Sequence, residues 1–188
     1  MARGLQDADF DVIAVEPGIG GALAARQRGV EWVICGTVQD VGFAKSSLPA
    51  VGLFDVLEHI ADDRSELSCA ALHLGAGGNL VVLAPAHQFL FSPFDANIGR
   101  YRRYCRASLI ALNPPGCRLG HCFMLDTAGF FGSLANRVLL RASMPTAAQI
   151  ALWDEVLVPI SLILDRLTGY NLGKSVVAVW TRSSRTGV

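Results

Sequence analysis

Short apolar runs alternate with amphipathic stretches through the first half of the chain. Asp11–Glu16 (DVIAVE) predicts a buried strand, Gly20–Arg28 a helix carrying Ala22, Leu23 and Ala25, and Glu31–Cys35 (EWVIC) a second strand. Leu48–Phe54 is a third strand, preceded by a Lys45-Ser46-Ser47 turn. Asp55–Leu74 predicts a helix closed by Gly75-Ala76-Gly77-Gly78, and Asn79–Ala84 (NLVVLA) a fourth strand. Continuous β-branched runs with helices between them predict an α/β fold whose parallel sheet is covered on both faces.

The second half is less regular. Phe89–Tyr104 is rich in aromatic and basic residues and reads as a long functional loop with some helix. Asn113-Pro114-Pro115-Gly116 breaks the chain before a strand at Cys117–Met124. Helices follow at Ala128–Leu140 and Ala147–Leu167, the second kinked at Pro159, and Ser175–Thr181 closes as a strand ahead of the tail Ser183–Val188. Phe130, Phe131, Leu134, Val138 and Leu139 give the first helix an apolar side that matches Trp153, Leu157, Ile160 and Leu164 on the second. The pair is expected to pack together as a lid or partner surface; the plain reading of the matching stripes is core packing, the sharper one a surface that admits a lipid-like acceptor or a second subunit.

Composition narrows the functional classes. Sixteen basic and sixteen acidic residues cancel, so no global field draws the chain to nucleic acid or to an anionic membrane. Five cysteines are odd in number and include no Cys-x-x-Cys pair, which argues against structural zinc and a disulfide framework and for thiols in a reducing, cytoplasmic setting. Charged residues interrupt every apolar stretch before about 18 residues, so no transmembrane helix is expected.

The densest chemistry is Asp55-Val56-Leu57-Glu58-His59, at the end of a predicted strand. On a helix starting near Asp55, the i,i+4 spacing brings Asp55 and His59 to one rim with Glu58 beside them. That rim is the carboxyl edge of the sheet, where such folds bind ligands. Three readings stand: Asp55 caps a helix and His59 lies on the surface; His59 is a general base suited to neutral pH; or Asp55, Glu58 and His59 bind a divalent cation, with only two carboxylates to offer it. His87 lies just past the fourth strand, ahead of Asp95, Arg100, Tyr101, Arg102, Arg103 and Tyr104. The arginines and tyrosines suit an anionic or planar substrate, or else a solvated, salt-bridged loop. Glu16 ends the first strand before Pro17-Gly18-Ile19-Gly20-Gly21. It can accept both hydroxyl protons of a ribose or simply favour a helix entry. Gly18 and Gly20 imitate a dinucleotide loop, but the third glycine is missing. Val38-Gln39-Asp40 can read an adenine edge or form a solvated turn.

Together these residues resemble the class I S-adenosylmethionine-dependent methyltransferases, closest to the small type 11 and type 12 groups, over roughly residues 4–112 and again at Gly173-Lys174-Ser175. The resemblance implies a Rossmann-like, doubly wound, mostly parallel sheet in a single domain over 1–188, with a cofactor-side half at 1–112 and a helical lid and C-terminal strands at 113–188. It places Glu16, Pro17 and Gly18 at the ribose, Val38, Gln39 and Asp40 at the adenine, and Phe54 and Asp55 along the cofactor. Leu74–Val82 (LGAGGNLVV) is similar to the family's Leu-x-Pro-Gly-Gly-x-Leu turn, with Ala76 replacing proline. Asp55–His59 resembles the Glu-x-x-Glu-His of ubiquinone-pathway O-methyltransferases and small-RNA 2′-O-methyltransferases, some of which bind a metal; Asp55 replaces the first glutamate.

The implied activity is in-line methyl transfer from S-adenosylmethionine to a small or lipid-like acceptor. His59 and His87 are the candidate catalytic residues, and Tyr101, Arg102, Arg103 and Tyr104 the candidate substrate residues. In the family a strand and a Gly-x-Gly-x-Gly loop precede the helix that ends before Asp11. Met1–Asp9 covers only the tail of that helix, so the expectation is an N-terminally truncated chain without the first, central strand and with weak or absent cofactor binding. The strands at Asp11–Glu16 and Leu48–Phe54 then pair with each other, recruit a neighbouring chain, or leave a marginally stable fold. Two other functions remain open: a non-catalytic remnant or binding module, and a nicotinamide-dependent oxidoreductase resting on Gly18 and Gly20 alone.

Overall fold

The computed structural model describes residues 1–135 and 157–184. The chain divides into two compact units, Met1–Ser47 and Leu48–Val188. The first holds α1 (Ala2–Gln6), β1 (Ile13–Glu16), α2 (Ile19–Gln27), β2 (Trp32–Cys35) and α3 (Val38–Val41). β1 and β2 pair in parallel, with Ile13 opposite Trp32 and Glu16 opposite Cys35. The crossover turns back at Gly29 (φ 81°), where Val30 N–H donates to the Ala25 carbonyl and closes the end of α2. Ala22 and Val30 are the buried apolar residues of this unit, while Phe10, Ile13, Ile19, Leu23 and Trp32 are each at least half exposed.

The second unit holds β3 (Leu48–Phe54), β4 (Leu74–Pro85), β5 (Cys117–Leu125) and β6 (Ser175–Arg182) in the order β3-β4-β6-β5. β3 and β4 run parallel, and β6 runs antiparallel to both of its neighbours. The carboxyl ends of β3, β4 and β5 therefore share one edge with the amino end of β6. Helices α4 (Asp63–His73), α5 (Pro93–Asn97), α6 (Arg106–Ile110), α7 (Thr127–Ala135) and α8 (Val158–Leu167) complete the unit, with single 3₁₀ turns at Leu57–His59 and Gln88–Leu90. Leu57, Leu67, Leu74, Leu80, Val82, Leu109, Val176 and Trp180 are wholly buried and form its core.

The α/β alternation expected from the apolar pattern is present, and β1 and β3 are each the edge of their own sheet. One predicted element is corrected. Asp55–Leu74 is not a continuous helix: Asp55 takes φ 53°, a 3₁₀ turn follows, and α4 starts only after Asp62, whose carboxylate accepts the Ser65 N–H. Asp55 and His59 therefore do not share a helix rim. The glycine run does not end an element either. Gly75–Gly78 belongs to β4, and a Cβ on Gly78 would lie 3.0 Å from the Gly75 and Leu48 carbonyl oxygens, so a side chain there would crowd the pairing with β3. Pro159 falls in the first turn of α8, where its missing N–H costs nothing. Val138, Leu139 and Trp153 of the predicted apolar stripes lie outside the described residues.

The two units differ in the means of their stability. A two-stranded sheet with two buried apolar side chains is marginal, whereas β4 and β6 are paired on both sides around Trp180. In native-state hydrogen exchange, amides of β1 and β2 are expected to exchange at least tenfold faster than those of β4 and β6. Equal protection in both sheets would contradict this.

Candidate functional site

Three non-glycine residues with positive φ stand at the shared strand-end edge of the second unit: Asp55 (53°) after β3, His87 (66°) after β4 and Asp126 (66°) after β5. Each such residue costs on the order of 1 kcal/mol or more and persists only where its surroundings fix it. Backbone bonds do the fixing. Asp55 N–H donates to the Leu83 carbonyl at 2.9 Å, His87 N–H to that of Tyr104 at 2.8 Å, and Lys174 N–H to that of Asp126 at 3.0 Å. The turns put two carboxylates and an imidazole at the strand ends. Asp126 also closes the first turn of α7, accepting from Gly129 N–H (2.8 Å) and Ser161 Oγ (2.7 Å).

Behind Asp55 lies an ion network without exposed carboxylates. Asp95 is fully buried and accepts from Arg103 Nη2 at 2.9 Å on both oxygens, from Arg100 Nη1 at 3.0 Å, and from Ser92 N–H and Oγ at 2.8 and 2.9 Å. Burial alone would raise its pKa, but the two guanidiniums outweigh it and hold Asp95 below the usual carboxylate range. Arg100 also faces Glu58, Nε to Oε1 at 3.2 Å, and reaches Asp55 at 4.0 Å. Glu58 is fully buried, its carboxylate accepts no hydrogen bond among the described residues, and His59 Nε2 stands 3.8 Å away. Burial, reinforced by the charge of Asp55, pushes Glu58 above its ordinary pKa. Asp55 is likewise raised by loss of hydration, against the pull of Arg100, Lys174 and His59.

One ring nitrogen of His87 is committed to the backbone. Its Nε2 lies 2.9 Å from the Gly173 carbonyl, which can only accept, so Nε2 carries the hydrogen and Nδ1 keeps the lone pair. Burial lowers its pKa and favours the neutral ring. The imidazole packs against Phe89 (5.2 Å) and Phe130 (5.0 Å), whose own ring centres are 6.3 Å apart, while half of the Phe89 surface stays open. Gly173 itself is irreplaceable, because a Cβ would fall 2.1 Å from the Leu125 carbonyl oxygen.

The expected substrate residues behave differently from one another. Tyr101 is 60% exposed, with the Arg102 guanidinium 5.8 Å from its ring centre. Arg102 donates to Asp63 at 2.6 Å, and the buried Tyr104 hydroxyl donates to the same oxygen at 2.8 Å. Arg103 is spent on Asp95. The cationic run therefore ties the loop down: Tyr101 N–H donates to the Glu58 carbonyl at 2.8 Å and Arg103 N–H to Gln88 Oε1 at 2.8 Å. Among the described residues no group of three His, Cys, Asp or Glu side chains is placed to hold a metal ion, and Asp55, Glu58 and His59 do not form one.

In the first unit, Glu16 ends β1 half-buried, and a Cβ on Gly21 would lie 3.0 Å from its Oε2. Among the described residues nothing donates a hydrogen bond to that carboxylate. Pro17 and Gly18 are exposed beside it, and Gly18 precedes the first turn of α2. Asp40 closes a capping box, its Oδ2 accepting from Thr37 N–H (2.8 Å) and Oγ1 (2.6 Å), and these bonds lower its pKa. Val38 and Gln39 form the first turn of that short helix. Phe54 ends β3, its ring covering the position where a Gly52 Cβ would be.

Asp126 escaped the sequence reading, and Lys174, half-buried beside it, entered only through a short match. The available signal was Leu125-Asp126-Thr127, an acid between strand and helix, the same grammar as Phe54-Asp55. Burial lowers the Lys174 pKa against the opposing charge of Asp126.

Asp95 and Glu58 make opposite pH predictions. Asp95→Ala leaves two arginines without their buried counter-charge and is expected to cost about 3–5 kcal/mol at neutral pH. With its pKa depressed, Asp95's contribution is full above the unfolded value of about 3.9 and fades as pH falls through the folded one. Glu58 has a raised folded pKa, so the native chain loses stability as pH rises from about 4.3 through that value, and Glu58→Gln removes the slope. Urea unfolding of the three chains at about pH 3, 5 and 7 checks both signs.

No protein-family model and no curated protein matches the sequence. Solved structures do match it in fold. A chain from the complex of the Haloferax volcanii Trm112 methyltransferase activator with a methyltransferase is 14% identical over 99% of this chain and 78% of its own, with a TM-score of 0.61. A Thermotoga maritima S-adenosylmethionine-dependent methyltransferase is 19% identical, covering 91% of this chain and 72% of its own at TM-score 0.55. The [4+2]-cyclase SpnF is 13% identical, covering 96% and 70% at TM-score 0.59. The chain has the Rossmann-like fold of the class I S-adenosylmethionine-dependent methyltransferases.

Proposed function

We propose that this protein is an S-adenosylmethionine-dependent methyltransferase acting on a small or lipid-like acceptor. A fold of this kind hosts more than one chemistry, so the reading rests on the site. The observation that carries it is the strand-end edge of the second unit, where Asp55 and His87 are held at positive φ and His87 keeps a basic Nδ1 beside exposed aromatic surface. When bound, the cofactor supplies a methyl group already activated on a sulfonium. His87 Nδ1 takes the acceptor's proton, with His59 as the second base. Phe89, Phe130 and Tyr101 shield the acceptor from water. Arg102, Arg103 and Tyr104 position the loop that carries Tyr101. In this reading the protein is cytoplasmic; its five cysteines are all free. No helix among the described residues is long and apolar enough to cross a membrane.

The residues of the first unit fit the adenosine half of the cofactor. Glu16 offers two unoccupied acceptor oxygens to a ribose diol, and the open backbone at Gly18 and Gly20, where a Cβ would meet nothing within 4 Å, leaves room for it. Asp40 keeps Oδ1 for an adenine amine beside Val38 and Gln39. The methionine half finds no Gly-x-Gly-x-Gly cradle in this sequence.

With recognition resting on the adenosine half, S-adenosylhomocysteine is expected to bind this chain with a dissociation constant near 0.1–1 mM, about −4 to −5.5 kcal/mol. Calorimetry is expected to show that Glu16→Ala weakens this at least tenfold while His87→Ala leaves it within about twofold. Preferential binding of NAD, or affinity indifferent to Glu16, would overturn the reading. Absence of saturable binding would favour a non-catalytic module.

A further inference from the structure

We propose that Glu58 is a pH-operated latch on the Tyr101 segment: while its carboxyl group is protonated the 3₁₀ turn Leu57–His59 stays closed, and ionisation of that group favours a local opening that frees Tyr101. The latch needs no ligand and is independent of the methyltransferase reading.

Glu58 holds the segment at two points. Its carbonyl accepts the Tyr101 N–H at 2.8 Å, and its carboxylate lies against Arg100, Oε1 to Nε at 3.2 Å. The two contacts differ in quality. The backbone bond is well formed, whereas the two carboxylate oxygens and Arg100 Nε, all buried, make no hydrogen bond among the described residues. Glu58 is 0% exposed, so its side chain meets Arg100 by charge alone. An ionised carboxylate kept from water without hydrogen bonds is costly, and its neutral form is much less so.

The surroundings share out little compensation. Asp55 faces Glu58 from the end of β3, His59 Nε2 stands 3.8 Å from Oε1 within the turn, and Arg100 comes from the segment after α5. Arg100 is divided, with Nη1 on Asp95 at 3.0 Å and Nη2 4.0 Å from Asp55. Arg103 serves Asp95 as well, and Lys174 acts on Asp55 from the amino end of β6. On α4, Asp63 is taken up by Arg102 and Tyr104, and β4 carries no titratable side chain. Burial is the largest influence on Glu58 and raises its pKa, with Asp55 adding to it; the backbone, Arg100 and His59 pull the other way without cancelling it.

The sign follows. In the closed turn Glu58 keeps its proton more tightly than in an open, hydrated one, where the ordinary value of about 4.3 applies. Closure is therefore most favoured below about pH 4.3, weakens as pH rises through the folded value, and changes no further above it. Tyr101 is 60% exposed, so its N–H meets water as soon as the turn opens.

Native-state hydrogen exchange of the full chain tests the latch. The protection factor of the Tyr101 amide is expected to fall at least tenfold between about pH 4.5 and pH 8, and to stay unchanged in about 1 M urea, as a local opening requires. In Glu58→Gln, which cannot ionise, the fall is expected to shrink below about threefold. Asp55→Asn removes a neighbouring negative charge and moves the midpoint to lower pH; asparagine tolerates the φ of 53° at that position. His59→Gln keeps the fall, which separates Glu58 from an imidazole that can titrate in the same range. Tyr101 exchange that follows urea as the β4 amides do would mean that only global unfolding frees it. That result overturns the proposal, as does a fall that survives in Glu58→Gln, is lost in His59→Gln, or keeps its midpoint in Asp55→Asn.

Discussion

Asp95 lies without exposed surface between Arg100 and Arg103, and the geometry of the candidate site depends on that contact. A carboxylate moved out of water loses several kcal/mol of hydration, recovered here by five hydrogen bonds, three of them from guanidiniums. Because Arg100 turns its remaining face to Glu58, the same contact fixes the 3₁₀ turn that carries His59. Because Arg103 follows Arg102 and precedes Tyr104, it also fixes the segment whose backbone bonds to His87.

The strained strand ends follow from this. Asp55 and His87 hold positive φ only because neighbouring backbone is pinned, and the pins come from β4 and from the loop that Asp95 anchors. The network also sets the electrostatics. Burial raises both Glu58 and Asp55, and the guanidinium they share, already committed to Asp95, does not offset it. Two carboxylates raised by burial and an imidazole lowered by it therefore stand near one strand-end edge.

The first unit rests on different physics. Its β-α-β segment is closed by local devices, the Gly29 turn and the Thr37–Asp40 box, rather than by a core. Few apolar side chains are buried there, and the Glu16 carboxylate remains open at a strand end. Local capping specifies the shape of such a segment without supplying much stability, which is why its sheet and that of the second unit are expected to differ in protection.

Much of the architecture was legible in the sequence because central strands covered on both faces write continuous β-branched runs, as in NLVVLA and, although it runs antiparallel to its neighbours, SVVAVW. The strand ends at Glu16, Phe54 and Pro85 and the acids and imidazole beside them were legible for the same reason. Two things were not. The residues after Phe54 have helical spacing, yet Asp55 turns left-handed because its N–H is taken by the Leu83 carbonyl of the neighbouring strand, a partner distant in sequence. The arginines of Tyr101–Tyr104 looked like a clamp for a substrate, and only folding brought Asp95 and Asp63 against them. The sequence by itself determined the order of strands and helices and which chemical groups stand at strand ends, since both depend on local periodicity. Which of those groups are spent on each other, and which remain open for a ligand, was decided by tertiary structure alone, because the energy of a buried charge depends on partners that no local spacing records.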